Sequence, residues 1–201
     1  MTVPNVLVIN SNVPANNVKE LVDWLKKSPG TATYATPGSG SSPHLNAELF
    51  AKMAGVQINH IPYKGAGPAM TDLVAGNTQM AFANMPTVMP LIQAGKLKAL
   101  GVTSTTASPH APNIPPIGAT LRGYEDNIWF GFVAPKDLPG AVTSKLNAEL
   151  AKALRSEEVT KAMNESGATI TTSTPQEMGQ MIATDLTKWA ALIKERNLKA
   201  D

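Results

Sequence analysis

The stretch Tyr34-Ala35-Thr36-Pro37-Gly38-Ser39-Gly40-Ser41-Ser42-Pro43-His44-Leu45 decides the fold. Residues 31–35 have strand character, and a loop of Gly, Ser and Pro leads from them into a helix. We expect Ser42 to cap that helix, with Pro43 at its first position. Residues 36–44, here named the Ser/Gly loop, would direct unpaired backbone N–H groups at one point. The dipole of the following helix favours negative charge at that point, so the stretch predicts an anion site.

The Ser/Gly loop favours a carboxylate over a phosphate. It lacks the Gly-Lys pair of a P-loop and the glycine spacing of a dinucleotide-binding fingerprint. The plain structural alternative is a well-capped turn between a strand and a helix that binds nothing. This stretch taken alone leaves both interpretations open.

Composition limits the classes of function that the chain can have. Its 201 residues are 43% hydrophobic, which is enough for a packed core. The formal net charge is +2, from 17 Lys and Arg against 15 Asp and Glu, and gives no reason to expect nucleic acid as a partner. The absence of cysteine excludes disulfides, thiolate zinc sites and cysteine nucleophiles. No apolar run approaches the length of a membrane span.

Strand and helix patterns alternate between residues 31 and 102. This alternation predicts βαβ units and therefore a parallel sheet. Two further loops of small residues follow strands, at residues 62–68 and 84–86. Because the carboxyl ends of parallel strands lie at one edge of a sheet, we expect these loops to meet the Ser/Gly loop there. Open α/β sheets bind their ligands at that edge.

Two outer segments flank this block, namely the apolar run at residues 6–9 and everything after about residue 126. Residues 128–133 have strand character, and the last helix begins with a capping box of Thr174 and Glu177. We interpret the outer segments as two extended crossings around one inserted lobe, as in a hinged two-lobe binding protein. The chain opens on an apolar run with no secretory signal before it, so we expect it to be a piece of a longer polypeptide.

The single candidate residues all have ordinary structural alternatives. His44 can donate a hydrogen bond towards the loop or lie on a helix surface, and Lys64 can lie near an anion or be a surface charge. Asn84 can bind a ligand through its amide or cap a helix. A hydrolase would need Ser42 and His44, but residues two apart on a helix do not face each other, and the last glycine of a nucleophile elbow is missing. The histidines lack metal-ligand spacing, so we expect no metal and no cofactor.

Five motifs, in the same order, resemble the Bug/TctC family of periplasmic solute receptors of tripartite tricarboxylate transporters. They are residues 34–45, 60–73, 82–86, 95–104 and 129–135. The resemblance runs from about Val3 to Asp201. It implies an α/β fold of the type II periplasmic-binding-protein kind, with two lobes of which lobe one is incomplete. The family's signal peptide and the Gly-rich loop of its first lobe would precede this chain.

The resemblance also implies a division of the chain. Residues 1–9 would be a remnant of lobe one and the first crossing strand, and residues 10–125 would be the inserted α/β lobe, lobe two. Residues 126–201 would be the second crossing strand and the C-terminal helices of lobe one. The apolar faces of lobe one would then lack part of their packing partner, which raises the prospect of a homo-oligomer.

The implied function is a periplasmic receptor, not an enzyme, that binds a small organic carboxylate and delivers it to a membrane permease. The expected ligand-binding residues are Thr36, Gly38, Ser39, Gly40, Ser41, Ser42, His44, Lys64, Ala83 and Asn84. No nucleic acid and no cofactor is expected. Two alternatives stay open: a fragment of an α/β hydrolase that depends on Ser42 and His44, and a short form that only self-associates.

Overall fold

One five-stranded sheet lies at the centre of the protein, which we describe over residues 1–199 from a computed structural model. The strands are β1 (Asn5–Asn10), β2 (Thr33–Thr36), β3 (Asn59–Pro62), β4 (Met80–Asn84) and β5 (Leu97–Val102). The helices are α1 (Val18–Lys27), α2 (Ser42–Ala54), α3 (Ala66–Ala75), α4 (Met85–Gln93), α5 (Gly140–Leu154), α6 (Glu157–Glu165) and α7 (Pro175–Arg196). This α/β architecture agrees with the predicted fold class.

The strand order is β3-β2-β4-β1-β5. β2 runs parallel to β3 and to β4, whereas β1 runs antiparallel to both β4 and β5. The parallel arrangement predicted for the strands of residues 31–102 is therefore confirmed for β2 to β5. β1, which lay outside that prediction, is antiparallel to its neighbours. All six residues of β1 are buried, and such an apolar run does not reveal the direction of a strand.

β1 belongs to the sheet that carries the Ser/Gly loop. It pairs on both sides with strands of the block predicted as the inserted lobe, β4 and β5. The sheet therefore includes residues 5–10. The division of the chain into residues 1–9, 10–125 and 126–201 stays a prediction.

Two hydrophobic cores lie on opposite faces of the sheet. Leu7 and Ile9 of β1 pack into the core formed with α1 and α2, while Val6 and Val8 pack into the core formed with α3 and α4. Side chains alternate between the faces of a strand, so one strand contributes to both cores. The helices on both faces then begin at the carboxyl ends of β2, β3 and β4.

The two outer segments meet as short extended pieces. The backbone N–H of Val3 donates to the carbonyl of Ile128 at 2.9 Å, and that of Phe130 donates to Met1 at 2.9 Å. The strand expected at residues 128–133 is reduced to this pairing, which includes one isolated bridge between Thr2 and Trp129. Within the part of the chain that the structure describes, this pairing ends at Phe130.

The helix ends follow local sequence signals. Asn17 caps α1 by accepting a hydrogen bond from the N–H of Glu20, and the capping box of Thr174 and Glu177 at the start of α7 is present as predicted. Within residues 1–199, no helix combines the length and apolar character that crossing a membrane requires.

Gly101 of β5 lies where the sheet meets the connection that follows it, and this contact gives a first testable prediction. A Cβ atom at this position would lie 2.7 Å from Cγ1 of Ile117 and 3.3 Å from the carbonyl of Pro115. We expect Gly101→Ala to lower the free energy of unfolding by about 1–3 kcal/mol through overpacking. Urea denaturation measures this change.

Gly179→Ala is the matched control for that substitution. A Cβ atom there meets nothing within 4 Å, and the position is an exposed interior site of α7. Alanine should raise stability there by about 0.5–1 kcal/mol, because it is the better helix former. Equal effects of the two substitutions would show that the contact with Ile117 does not restrict Gly101.

Candidate functional site

Three helix N-termini meet at one cleft of about 250 Å³. They belong to α2, α3 and α4, which follow β2, β3 and β4. Because these three strands are parallel, their carboxyl ends lie at a common edge, as the sequence predicted. The lining consists of Pro37, Ser41, Ser42, Pro43, Ala66, Ala69, Met70, Phe82, Ala83, Asn84, Thr87 and Phe130.

The Ser/Gly loop reaches the cleft through Ser41 and Ser42. The N-cap of α2 is Ser41, with φ −67° and ψ 159°, and Ser42 is the first helical residue, so the predicted cap was one residue late. Proline is tolerated at the second position of a helix as it is at the first, because the N–H group of neither position has an acceptor within the helix. Pro43 occupies this second position in α2. The hydroxyl of Ser41 turns back and donates to the carbonyl of Gly38 at 2.7 Å.

Each helix presents backbone N–H groups of its first turn towards this edge. Ser42 and Ala66 are the first residues of α2 and α3, and Thr87 is the third residue of α4. Helix geometry provides no intrahelical acceptor for such groups, and the three dipoles add at the same place. No charged side chain occurs among the described residues that line the cleft. The cleft can therefore hold an anion with fixed dipoles and hydroxyl groups.

Four of the ten predicted site residues line the cleft, namely Ser41, Ser42, Ala83 and Asn84. Asn84 is the N-cap residue of α4, but its side chain does not cap that helix. It is half-buried at the cleft, so its amide is placed for a ligand. The cap role considered from the sequence is therefore wrong for this side chain.

The other predicted residues lie outside the lining. Thr36 is fully buried and His44 is 4% exposed, and both hold the Ser/Gly loop from behind. Lys64 is exposed on the loop before α3. Gly38, Ser39 and Gly40 precede Ser41 in the loop and do not line the cleft. The direct roles predicted for these residues remain untested.

The N–H of Gly40 donates to Nδ1 of His44 at 3.0 Å, so this amide is directed at the histidine ring. The helix-surface alternative for His44 is wrong, because the ring is buried. Residues 1–199 contain no group of three or more His, Asp or Glu side chains that could hold a metal ion.

Comparison with known proteins identifies the family. The model of the tripartite tricarboxylate transporter family receptor, TctC, matches residues 1–198. The chain belongs to this family. BugT of Bordetella pertussis is 36% identical over 200 residues, which are 98% of this chain and 61% of BugT. A UPF0065 protein from the tcbD-tcbE intergenic region of Pseudomonas sp. strain P51 is 34% identical over 202 residues, covering all of this chain and 60% of that protein.

Solved structures of similar proteins support the same assignment. R. palustris Rpa4515, solved with adipate, has 32% identity and a TM-score of 0.89 and is matched over 98% of this chain and 66% of its own. The periplasmic binding protein BugD has 30% identity and a TM-score of 0.86, over all of this chain and 68% of BugD. The relatives of this TctC family chain are therefore solute-binding proteins and not enzymes. The alternative of a hydrolase fragment is wrong. The chain spans about 60% of the length of these curated relatives.

Sequence reasoning missed several residues of the TctC family cleft. Ala66 and Thr87 could have been found, because both lie in the first turns of helices expected at the same edge. Met70 and Phe82 carry only a general apolar signal. Phe130 belongs to the segment of strand character at residues 128–133, and it lines this cleft with 46% of its surface exposed.

A buried polar network joins the cleft to both outer segments. Asn46, fully buried on α2, accepts a hydrogen bond from the side chain of Asn5 at 2.9 Å and donates one to Asp126 at 2.7 Å. Lys188 of α7 lies 3.5 Å from the other oxygen of Asp126. The helix that begins at the cleft is thereby bound to β1 and to the start of the second crossing.

Asp126 gives a prediction for the dependence of stability on pH. Burial raises the pKa of Asp126 above its ordinary value of 3.8, and Asp185 adds to this, while the hydrogen bond from Asn46 and the charge of Lys188 oppose it. The folded protein therefore binds this proton more tightly than the unfolded chain. The contribution of Asp126 to the free energy of unfolding must then fall as pH rises from about 3.8 through the raised pKa.

Asp126→Asn removes this titration. We expect the unfolding free energy of the wild type, relative to that of the variant, to decrease as pH increases through the acid range. Urea denaturation at a series of pH values measures the difference. Asp137→Asn, at an exposed aspartate, controls for the change in net charge. Parallel pH profiles of the wild type and the Asp126 variant would contradict the prediction.

Proposed function

We propose that this chain forms the carboxylate-binding part of an extracytoplasmic solute receptor. The observation that carries the proposal is the convergence of the α2, α3 and α4 N-termini on a cleft with no charged residue among its described lining. A carboxylate would accept hydrogen bonds from the N–H groups of Ser42, Ala66 and Thr87 and from nearby hydroxyls. Hydrogen bonds to a charged acceptor are about twice as strong as neutral ones, so a few of them suffice for selective binding.

The walls of the cleft favour a carboxylate with an apolar carbon chain. Ala66, Ala69, Met70, Phe82 and Phe130 surround the three helix ends with apolar surface. A methylene chain buried there gains free energy, whereas a ligand hydroxyl without a partner would lose its hydration. The related protein Rpa4515 was solved with adipate, a dicarboxylate with such a chain, which supports this class of ligand.

We further propose that the receptor acts in the periplasm and delivers its ligand to the permease of a tripartite tricarboxylate transporter. Membership in the TctC family supports this role, and the similarity to BugD supports the location. Its relatives are longer than this chain. That this chain binds a carboxylate by itself is therefore part of the proposal. Self-association through exposed apolar surface stays a prediction.

A pair of substitutions at Ser42 tests the function. Proline at the first position of α2 fits the helix, and the preceding Ser41 has the extended conformation that proline requires. Ser42→Pro therefore removes one N–H from the cleft without changing the course of the backbone. We expect it to weaken adipate binding by about tenfold or more, since one charge-assisted hydrogen bond is lost.

Ser42→Ala is the matched control, because it removes the same hydroxyl and keeps the N–H. We expect a smaller loss of affinity for this variant than for Ser42→Pro. Isothermal titration calorimetry with adipate, and with butyrate and citrate as comparison acids, measures both effects. Equal affinities of the two variants would contradict a role for the N–H group, and binding of none of the acids by the folded wild type would contradict the proposal.

A further inference from the structure

Two histidine side chains hold the Ser/Gly loop from the side opposite the cleft. Nδ1 of His44 accepts a hydrogen bond from the N–H of Gly40 at 3.0 Å. Nε2 of His60 lies 2.6 Å from the hydroxyl oxygen of Thr36, and the N–H of Gly38 donates to that oxygen at 3.3 Å. The loop is therefore bound near both of its ends.

The two imidazole rings form one stacked unit. Their centroids are 4.0 Å apart and their planes differ by 11°. The ring of Tyr34 stacks on His60 at 5.0 Å, and its hydroxyl donates to Glu48 at 2.6 Å. Glu48 in turn accepts from Nε of Arg196 at 2.7 Å, so a contact from α7 fixes the far end of the column.

The bond from Gly40 limits the conformations of a loop that would otherwise have many. Gly38 and Gly40 have φ values of 150° and 76°, in a range that glycine alone adopts readily. The bond spans the N-cap residue Ser41, so it fixes how Ser41 and Ser42 enter the cleft. His44 is buried and outside the cleft lining, and it can act on a ligand only through this loop.

We propose that His44 is a positioning residue that acts as a neutral hydrogen-bond acceptor and holds the Ser/Gly loop in the shape that binds a carboxylate. The inference rests on the proposed function of the cleft. A ring nitrogen accepts a hydrogen bond only when it carries no proton, so neutral His44 bears its proton on Nε2. The chemistry required at this position is thus an acceptor, not a positive charge that attracts the ligand.

Protonation of His44 would oppose this arrangement. Nδ1–H would then point at the N–H of Gly40, so two donors would face each other. The ionisable groups that the described contacts place in or beside the column are His60, Tyr34, Glu48 and Arg196. Two protonated rings 4.0 Å apart would repel each other, which disfavours charging both histidines. Protonation of His44 should therefore loosen the loop.

Nitrogen-15 NMR of the histidine rings tests the protonation state directly. At pH 7 we expect His44 in the neutral form with its proton on Nε2. On acidification the hydrogen exchange of the Gly40 amide should accelerate, after correction for intrinsic rates, together with protonation of His44. A proton on Nδ1 at pH 7 would overturn the proposal.

Two substitutions distinguish the role of His44 as a hydrogen-bond acceptor from its role as a stacking ring. His44→Asn places a carbonyl oxygen at the same number of bonds from the backbone as Nδ1, and His44→Phe keeps a stacking ring without an acceptor. We expect His44→Phe to accelerate exchange of the Gly40 amide and to weaken adipate binding, each by about tenfold. His44→Asn should restore both towards the wild type, although it loses the stacking contact.

Equal exchange and equal affinity in the wild type and His44→Phe would overturn the inference, and so would a failure of His44→Asn to restore either quantity. The exchange of the Gly40 amide needs no ligand. If the wild type binds no carboxylate while the exchange results hold, the proposed function fails and the loop-bracing role of His44 stands.

Discussion

The burial of β1 between β4 and β5 is the constraint on which the rest of the structure depends. Its alternating side chains complete the core on each face of the sheet, and its antiparallel direction places its first residue at the sheet edge that carries the cleft. Asn5 at its start lies opposite Asn84 and donates to Asn46. One strand therefore fixes the positions of two cores, the helix that begins at the cleft, and the outer segments.

The cleft would recognise an anion with oriented backbone dipoles. Ser42, Ala66 and Thr87 contribute first-turn N–H groups that are already fixed by their helices, so little conformational entropy is lost when a carboxylate binds. A buried lysine or arginine would give stronger attraction, but its desolvation without a ligand would be costly. Neutral dipoles avoid that cost.

The parts that the sequence predicts well depend on local signals. Proline and serine mark the start of α2, and the alternation of elements places three loops at one edge. The direction of β1, the contact of Phe130 with the cleft and the bond from Gly40 to His44 depend on tertiary packing. No spacing of residues encodes these features. His44 shows the difference well, because its position beside the loop was predictable and its role as a buried acceptor was not.

Amide shift mapping with adipate tests most directly whether the three helix N-termini form the carboxylate site. Titration of the nitrogen-15-labelled protein should shift the amides of Ser42, Ala66 and Thr87 together, along one saturable curve. Butylamine, which has an alkyl chain but is cationic, should leave them unchanged. Saturable shifts confined to other parts of the chain, or equal responses to adipate and butylamine, would contradict carboxylate binding by these helix dipoles.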